Sequence, residues 1–221
     1  MKQIIEKYLK LLSEYEDCIR YGISINDGKP GQPAECAELE EISKTVRKCR
    51  KCGLSNTRTN AVPGMGAGNP LVFVIGEGPG ADEDRQGLPF VGAAGKYLDK
   101  WLDAIGLSRD SNCFIGNVVK CRPPGNRDPL PEETDACIGY LKQQICILKP
   151  KAILTVGRIS SSIITGENSG IGRIRGRVYS YAGIPVVATY HPSAVLRDQS
   201  YRKPVWEDLR LLRSIVDKNG R

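Results

Sequence analysis

Four short apolar runs, separated by segments of helical periodicity, are the feature that most constrains how this chain can fold. Their near-continuous hydrophobicity is typical of strands buried on both faces of a parallel sheet. Helical patterns lie between these runs and after the last one. Strands that alternate with helices predict an α/β fold, a three-layer α/β/α sandwich with a central four-stranded parallel sheet. The runs are LVFVIGE (71–77), NCFIGNVVK (112–120), AILTVG (152–157) and PVVATYH (185–191).

The first 45 residues differ in pattern from the rest of the chain. Residues 3–21 carry apolar side chains at helical spacing, 25–35 are rich in Gly and Pro, and 36–52 predict a second helix that ends in a cysteine pair. We therefore predict a helical extension and linker over 1–45 and a main domain over 46–221.

The charge and hydropathy of the chain bear on its partners and location. The formal net charge is +7, which favours a polyanionic partner. No apolar run approaches the length of a membrane span, and charges interrupt the N-terminal apolar residues, so we predict neither a membrane span nor a signal peptide. A cytoplasmic location is the resulting expectation.

Eight cysteines are many for a chain without a secretory signal, and there metal ligation is more typical than a disulfide framework. Cys49 and Cys52 form a C-x2-C pair, and Cys121 and Cys137 follow with fifteen residues between them. Both zinc and a [4Fe–4S] cluster suit four thiolates. The common zinc pattern has a second C-x2-C pair, which favours the cluster here. Cys36 is the substitute if one of these four ligands is wrong.

Unusual polar residues stand at the carboxyl ends of the predicted strands. The loop GEGPGADEDRQGLPFVGAAG (76–95) follows the first strand, Asn117 lies in the second, and His191, the only histidine, closes the fourth. In an open parallel sheet, ligands bind outside the carboxyl ends of the strands. The loop matches neither phosphate-binding glycine pattern, and its carboxylates would repel phosphate. We expect these residues to converge on one binding edge, with basic segments nearby to hold a phosphate backbone.

Together these motifs resemble the family 4 uracil-DNA glycosylases, the iron–sulfur branch of the uracil-DNA glycosylase superfamily. The resemblance extends from about Cys49 to the C-terminal helix and rests on the 76–95 loop, NVVKCRPPGNR (117–127), CIGYLKQQI (137–145) and HPSAVLR (191–197). It implies a monofunctional DNA repair enzyme that flips uracil out of the helix, hydrolyses its N-glycosidic bond and leaves an abasic site.

The resemblance also implies roles for individual pocket residues. Phe90 is similar to the aromatic residue that stacks on uracil, Asn117 to the amide that reads its Watson–Crick edge, and His191 to the histidine that bonds O2. Gly78 lies beside the base, where the best-known branch of the superfamily has Asp. Two carboxylates then remain as catalytic candidates for orienting water, Glu77 and Glu83.

The remaining implied roles concern the cofactor and DNA. Cys49, Cys52, Cys121 and Cys137 are similar to the ligands of a [4Fe–4S] cluster. The segment SAVLR is similar to a loop that enters the minor groove of uracil-containing DNA, through Ser193, Leu196 and Arg197.

Three alternatives stay open at this stage. One is a superfamily relative that excises another deaminated base. Another is a non-catalytic nucleic-acid-binding module held together by its metal site, and a third is an iron–sulfur electron carrier. The N-terminal extension is either a docking arm for a sliding clamp or another repair protein, or a brace over the main domain, and neither end of the chain shows a convincing clamp-binding peptide.

Overall fold

Six strands form one sheet at the centre of the protein, in a computed structural model that describes residues 33–219 and the side chains of 37–218. The spatial order is β1-β3-β2-β4-β6-β5. The four inner strands pair in parallel, and the two edge strands, β1 and β5, pair antiparallel to their neighbours. The strands are β1 (Met65–Gly66), β2 (Val72–Gly76), β3 (Cys113–Asn117), β4 (Ala152–Val156), β5 (Val178–Tyr181) and β6 (Ile184–Thr189).

The α/β class and the four predicted parallel strands are confirmed, but the predicted count of four strands is wrong. Two edge strands were missed because neither is an apolar run. β1 has only two residues, and β5 alternates between exposed and half-buried side chains. A tight turn with positive φ at Ala182 and Gly183 joins β5 to β6, as hairpins require.

Helices cover both faces of the sheet and complete three layers. Residues along β2 alternate between the two cores: Phe73 and Ile75 face one, Val72 and Val74 the other. The first core includes side chains of α1, α4 and α5, and the second includes those of α3, α7 and α8. The helices are α1 (Pro33–Lys48), α2 (Ala81–Gln86), α3 (Ala93–Ala104), α4 (Pro131–Leu148), α5 (Arg158–Thr165), α6 (Ile171–Ile174), α7 (Pro192–Arg197) and α8 (Arg202–Asn219).

Helix α1 crosses the predicted domain boundary at residues 45 and 46. Its Ile42 and Val46 are buried in the same core as α4. The first predicted helix, residues 25–32 of the predicted linker and the side chains of Cys18 and Cys36 lie outside the described residues, so the division into extension and main domain stays a prediction. Residues 33–35 of that linker belong to α1. Over 33–219, no helix is both long and apolar enough to cross a membrane.

The parallel register brings the carboxyl ends of the inner strands to one edge of the sheet. Gly76 at the end of β2 pairs with Asn117 at the end of β3, and Val156 of β4 pairs with Thr189 of β6. The loop after β2, the residues after β3 and the segment that begins at His191 therefore leave the sheet side by side.

A buried carboxylate fixes the end of β6. Asp208 of α8 is fully buried and accepts a hydrogen bond from the Thr189 hydroxyl at 2.8 Å. It also accepts two from the Arg175 guanidinium, at 2.8 and 2.9 Å. Because Thr189 lies two residues before His191, this pairing anchors the strand end from which the histidine departs.

Candidate active site

The Asn117 side chain is a buried amide without a protein partner. The residue is 1% exposed, and within the described part of the chain neither Oδ1 nor Nδ2 has a hydrogen bond. Leaving one buried polar group unpaired costs about 1–3 kcal/mol. Its backbone carbonyl, by contrast, accepts from the Lys120 ammonium at 2.9 Å. The amide is thus held in place with one donor and one acceptor available to a ligand.

Phe90 and Asn117 meet over Gly76. A Cβ atom on Gly76 would lie 2.4 Å from Asn117 Oδ1 and 2.6 Å from Phe90 Cζ, so no side chain fits there. Phe90 is 6% exposed. The glycine at the end of β2 therefore allows a flat aromatic ring and a polar amide to stand next to each other.

His191 completes this group from the other side. Its ring centroid lies 5.8 Å from that of Phe90, with the two planes tilted by 34°. Its Nδ1 accepts from the backbone N–H of Ser193 at 3.2 Å and lies 2.8 Å from the Ser193 hydroxyl. Burial, helped by the Arg197 charge and opposed by Glu83, lowers the His191 pKa to about 4. The ring is therefore neutral near pH 7, and its proton sits on Nε2, which can donate to a ligand.

The two candidate carboxylates have different surroundings, and those of Glu83 tie it to the loop backbone. Its Oε1 accepts from the backbone N–H groups of Val91 and Gly92 at 2.8 and 2.9 Å. Its Oε2 accepts from the N–H of Gly80 at 3.2 Å. Both oxygens are thus occupied in holding the loop that carries Phe90.

Glu77 is half-buried, and burial and nearby charges, rather than a hydrogen bond, set its pKa. Burial, with a further contribution from the Asp128 charge and against the Arg158 charge, raises its pKa to about 7. A carboxyl group that titrates near neutral pH suits proton transfer with water. Of the two carboxylates, Glu77 is the one free to act on a substrate.

The other predicted pocket and DNA residues lie around this group. A Cβ atom on Gly78 would lie 2.8 Å from Val119 Cγ2, so the Asp of the best-known branch has no room there. Leu196 is 43% exposed and Arg197 is exposed, both on the short helix after His191. Ser193, predicted to contact DNA, also orients the His191 ring.

The four predicted cysteine ligands line one enclosed space, together with Arg58 and Tyr140. Cys49 follows α1, Cys52 precedes a 3₁₀ turn, Cys121 lies four residues after the end of β3, and Cys137 lies in α4. All four are free thiols. Folding therefore brings together cysteines that are 88 positions apart in sequence, from Cys49 to Cys137.

Arg58, which the sequence did not single out, and the backbone of Lys120 donate hydrogen bonds around these sulfurs. Arg58 Nη1 donates to Cys121 Sγ at 2.9 Å, and its Nη2 donates to the carbonyl of Cys49. The backbone N–H of Lys120 donates to Cys137 Sγ at 3.3 Å. Because Arg58 and Cys121 are 63 residues apart, no local pattern reveals the contact.

The cysteine site does not have the geometry of a single bound ion. Within the described residues, no three Cys, His, Asp or Glu side chains are placed so as to hold one metal ion. Thiolates of a zinc site all lie about 2.3 Å from a single centre. In a [4Fe–4S] cluster each thiolate binds a different iron atom, so its sulfurs stand farther apart.

Comparisons with known proteins agree on one family. The model of the uracil DNA glycosylase superfamily matches residues 63–210. The chain is 47% identical over 168 residues to a type-4 uracil-DNA glycosylase of Sulfurisphaera tokodaii, covering 72% of this chain and 76% of the relative. It is 45% identical to a type-4 enzyme of Pyrobaculum aerophilum, covering 72% and 84%, and 41% identical to one of Archaeoglobus fulgidus, covering 75% and 86%.

The state of His191 can be measured directly because the chain has a single histidine. We predict that its imidazole nitrogen resonances stay unchanged between pH 5.5 and 8, as its pKa of about 4 requires. We also predict the nitrogen shifts of a neutral ring protonated at Nε2. In Arg197→Gln the pKa of His191 should rise, because the arginine charge lowers it in the native protein. Titration of the native protein near pH 6.5 would contradict this description of the site.

Proposed function

Because the chain belongs to the uracil DNA glycosylase superfamily, we propose that the Asn117, Phe90 and His191 group is the pocket that holds uracil during its excision from DNA. The enzyme hydrolyses the bond between uracil and its sugar in DNA repair, like the curated type-4 enzymes it resembles. The unpartnered amide of Asn117, beside an aromatic ring and a neutral histidine, is the observation that carries the assignment of the pocket.

Recognition follows from the hydrogen-bonding groups of the base. Uracil presents an N3–H donor and an O4 acceptor, and the Asn117 amide offers Oδ1 and Nδ2 to match them. Cytosine presents the opposite pattern, so a fixed amide rejects it. Lys120 and the pairing of β3 fix the backbone of Asn117 and so set the position of its amide beside the base.

Flipping the base costs a few kcal/mol, because the base loses its stacking and pairing in the duplex. Stacking on Phe90 offsets part of this cost, since a base–aromatic contact contributes about 1–3 kcal/mol. Gly76 matters here because a side chain would displace the ring and the amide together.

Bond cleavage leaves negative charge on uracil O2 and positive charge on the sugar. The neutral His191 donates from Nε2 to O2 and stabilises the charge that develops there. Glu77, ionised, orients the attacking water and stabilises the cationic sugar. Glu83 acts indirectly, by holding the backbone of the loop that carries Phe90. The Lys120 ammonium already donates to Asn117 and Gln144, which supports hydrolysis without a covalent lysine intermediate.

The cysteine site fits a [4Fe–4S] cluster held by Cys49, Cys52, Cys121 and Cys137. The four cysteines line one space, and Arg58 and the Lys120 backbone donate to their sulfurs, which supports a four-thiolate site. The lack of a second C-x2-C pair favours the cluster over zinc. Bound there, the cluster would supply a covalent cross-link between the end of α1, the segment after β3 and α4. Since Cys121 lies four residues after Asn117, we assign the site a structural role that supports the pocket.

Contacts with DNA follow from the position of α7. Leu196 and Arg197 are exposed next to the pocket, and we place them with Ser193 at the minor groove beside the flipped base. A contact of the N-terminal extension with a sliding clamp or repair protein, and a cytoplasmic location, stay predictions.

The proposal is tested with a labelled duplex that contains one U·G pair. We expect uracil release and an abasic site that breaks only in alkali. His191→Leu should lower the single-turnover rate about 10²-fold or more, the usual effect of removing one such donor, without loss of DNA binding. Asn117→Ala should slow uracil release to a similar extent. Asn112→Ala, a substitution just before the other end of β3, should leave release unchanged. Equal rates in Asn117→Ala and the native protein would refute the assigned pocket.

The pH profile separates the two carboxylates. Since the pKa of Glu77 is raised to about 7, it is mostly protonated and inactive at pH 6, and the rate should rise with pH through about 7. Glu77→Gln should be slow at every pH and should lack this rise. Asp128→Asn should shift the rise to lower pH, because the Asp128 charge raises the Glu77 pKa. If the rise persists in Glu77→Gln but disappears in Glu83→Gln, the roles are reversed.

The cofactor is tested by its iron content. The native protein should contain about four iron atoms per chain, with the broad visible absorption of an iron–sulfur protein. Cys137→Ser should lose iron and melt at a lower temperature. Cys113→Ala removes a buried thiol that lies outside the site and should keep its iron. Stoichiometric zinc in the native protein would overturn the cluster assignment.

A further inference from the structure

Phe90 has a backbone conformation that aromatic residues rarely adopt. Its φ is +51°, in the left-handed region that favours glycine. A side chain with a Cβ atom is strained there, and such strain persists only where surrounding contacts enforce it. The strained residue is also the one assigned to stack on the base, so the contacts that enforce its conformation bear on function.

Arg109 holds the carbonyl groups of this turn. Its Nη1 donates to the carbonyl oxygen of Pro89 at 3.0 Å, and its Nη2 donates to that of Phe90 at 2.9 Å. The guanidinium is itself fixed by Asp99 of α3, whose Oδ1 accepts from Nε at 2.8 Å and from Nη2 at 2.7 Å. The Arg109 side chain is only 14% exposed, so these bonds are largely shielded from water.

The other side of the turn is held just as closely. Glu83 accepts from the next two backbone N–H groups, those of Val91 and Gly92. A Cβ atom on Gly95 would lie 1.8 Å from the Phe90 carbonyl oxygen, so the first turn of α3 packs directly against the strained residue. Of these contacts, only Arg109 binds the carbonyl of Phe90 itself through a side chain.

We propose that Arg109, supported by Asp99, is a positioning residue for uracil excision that holds Phe90 in the conformation that presents its ring to the flipped base. This inference rests on the proposed stacking role of Phe90. Arg109 and Asp99 lie outside every motif that carries the family resemblance. Only a guanidinium has the planar set of donors that can bridge two carbonyls and a carboxylate at once, so lysine is a poor substitute.

A double-mutant cycle tests whether Arg109 acts through Phe90. We would measure single-turnover uracil release at saturating enzyme for the native protein, Arg109→Met, Phe90→Ala and the double variant. If Arg109 positions the ring, Arg109→Met should slow release roughly tenfold or more, as expected when base–aromatic stacking is lost. In the Phe90→Ala background the same substitution should have little further effect.

Arg213 provides the matched control. Its guanidinium pairs with Asp217 and donates to the carbonyl of Ile105 at 2.9 Å, the same chemistry at the far end of α3. Arg213→Met should lower the melting temperature without slowing release at a temperature where both variants are folded. If Arg109→Met is not folded, Arg109→Lys takes its place in the cycle.

The outcomes separate this inference from the proposed function. Failure of the native protein to release uracil would overturn the proposed function and this inference with it. Release by the native protein, with equal effects of the Arg109 and Arg213 variants, would overturn the positioning role alone. An Arg109→Met effect of the same size in the native and Phe90→Ala backgrounds would also overturn the positioning role. A slowing of uracil release that occurs only when the Phe90 ring is present supports the positioning role.

Discussion

A buried amide that has no partner among residues 33–219 is the constraint on which the arrangement of the pocket depends. Asn117 ends a strand that is buried along its whole length, so its side chain cannot turn to water. Gly76 leaves space beside it, and Lys120 secures its backbone. A protein tolerates such an unpaired group where a ligand supplies the missing bonds. A base that pairs with both atoms of this amide offers one donor and one acceptor on the same edge.

Burial also sets the protonation states of the two groups assigned to the chemistry. Desolvation disfavours the charged form of any group, so it lowers the pKa of His191 to about 4 and raises that of Glu77 to about 7. The histidine is therefore a neutral hydrogen-bond donor at ordinary pH. The carboxyl group instead changes its protonation state near neutral pH. The same physical cause thus acts in opposite directions on the pKa values of the two residues.

The sequence predicted the parts of the fold and site that have a local pattern. Apolar runs marked the four parallel strands, and Asn117 and His191 were singled out because polar residues at strand ends are unusual. The edge strands β1 and β5 were missed because a two-residue strand and an alternating one resemble loops. Arg58 and Arg109 were missed because they donate to groups 63 and 19 residues away. Their acceptors are a sulfur atom and a backbone carbonyl, and such contacts produce no local sequence pattern. The distinction between Glu77 and Glu83 likewise needed the loop backbone.

The structure of the protein with free uracil and abasic DNA, at a resolution that distinguishes the orientation of the base, is the most direct test of the pocket. We predict uracil stacked on Phe90, with its N3 and O4 atoms about 3 Å from the two amide atoms of Asn117 and its O2 at the same distance from His191 Nε2. Uracil bound elsewhere, or an Asn117 amide still without a partner in that complex, would contradict the central claim.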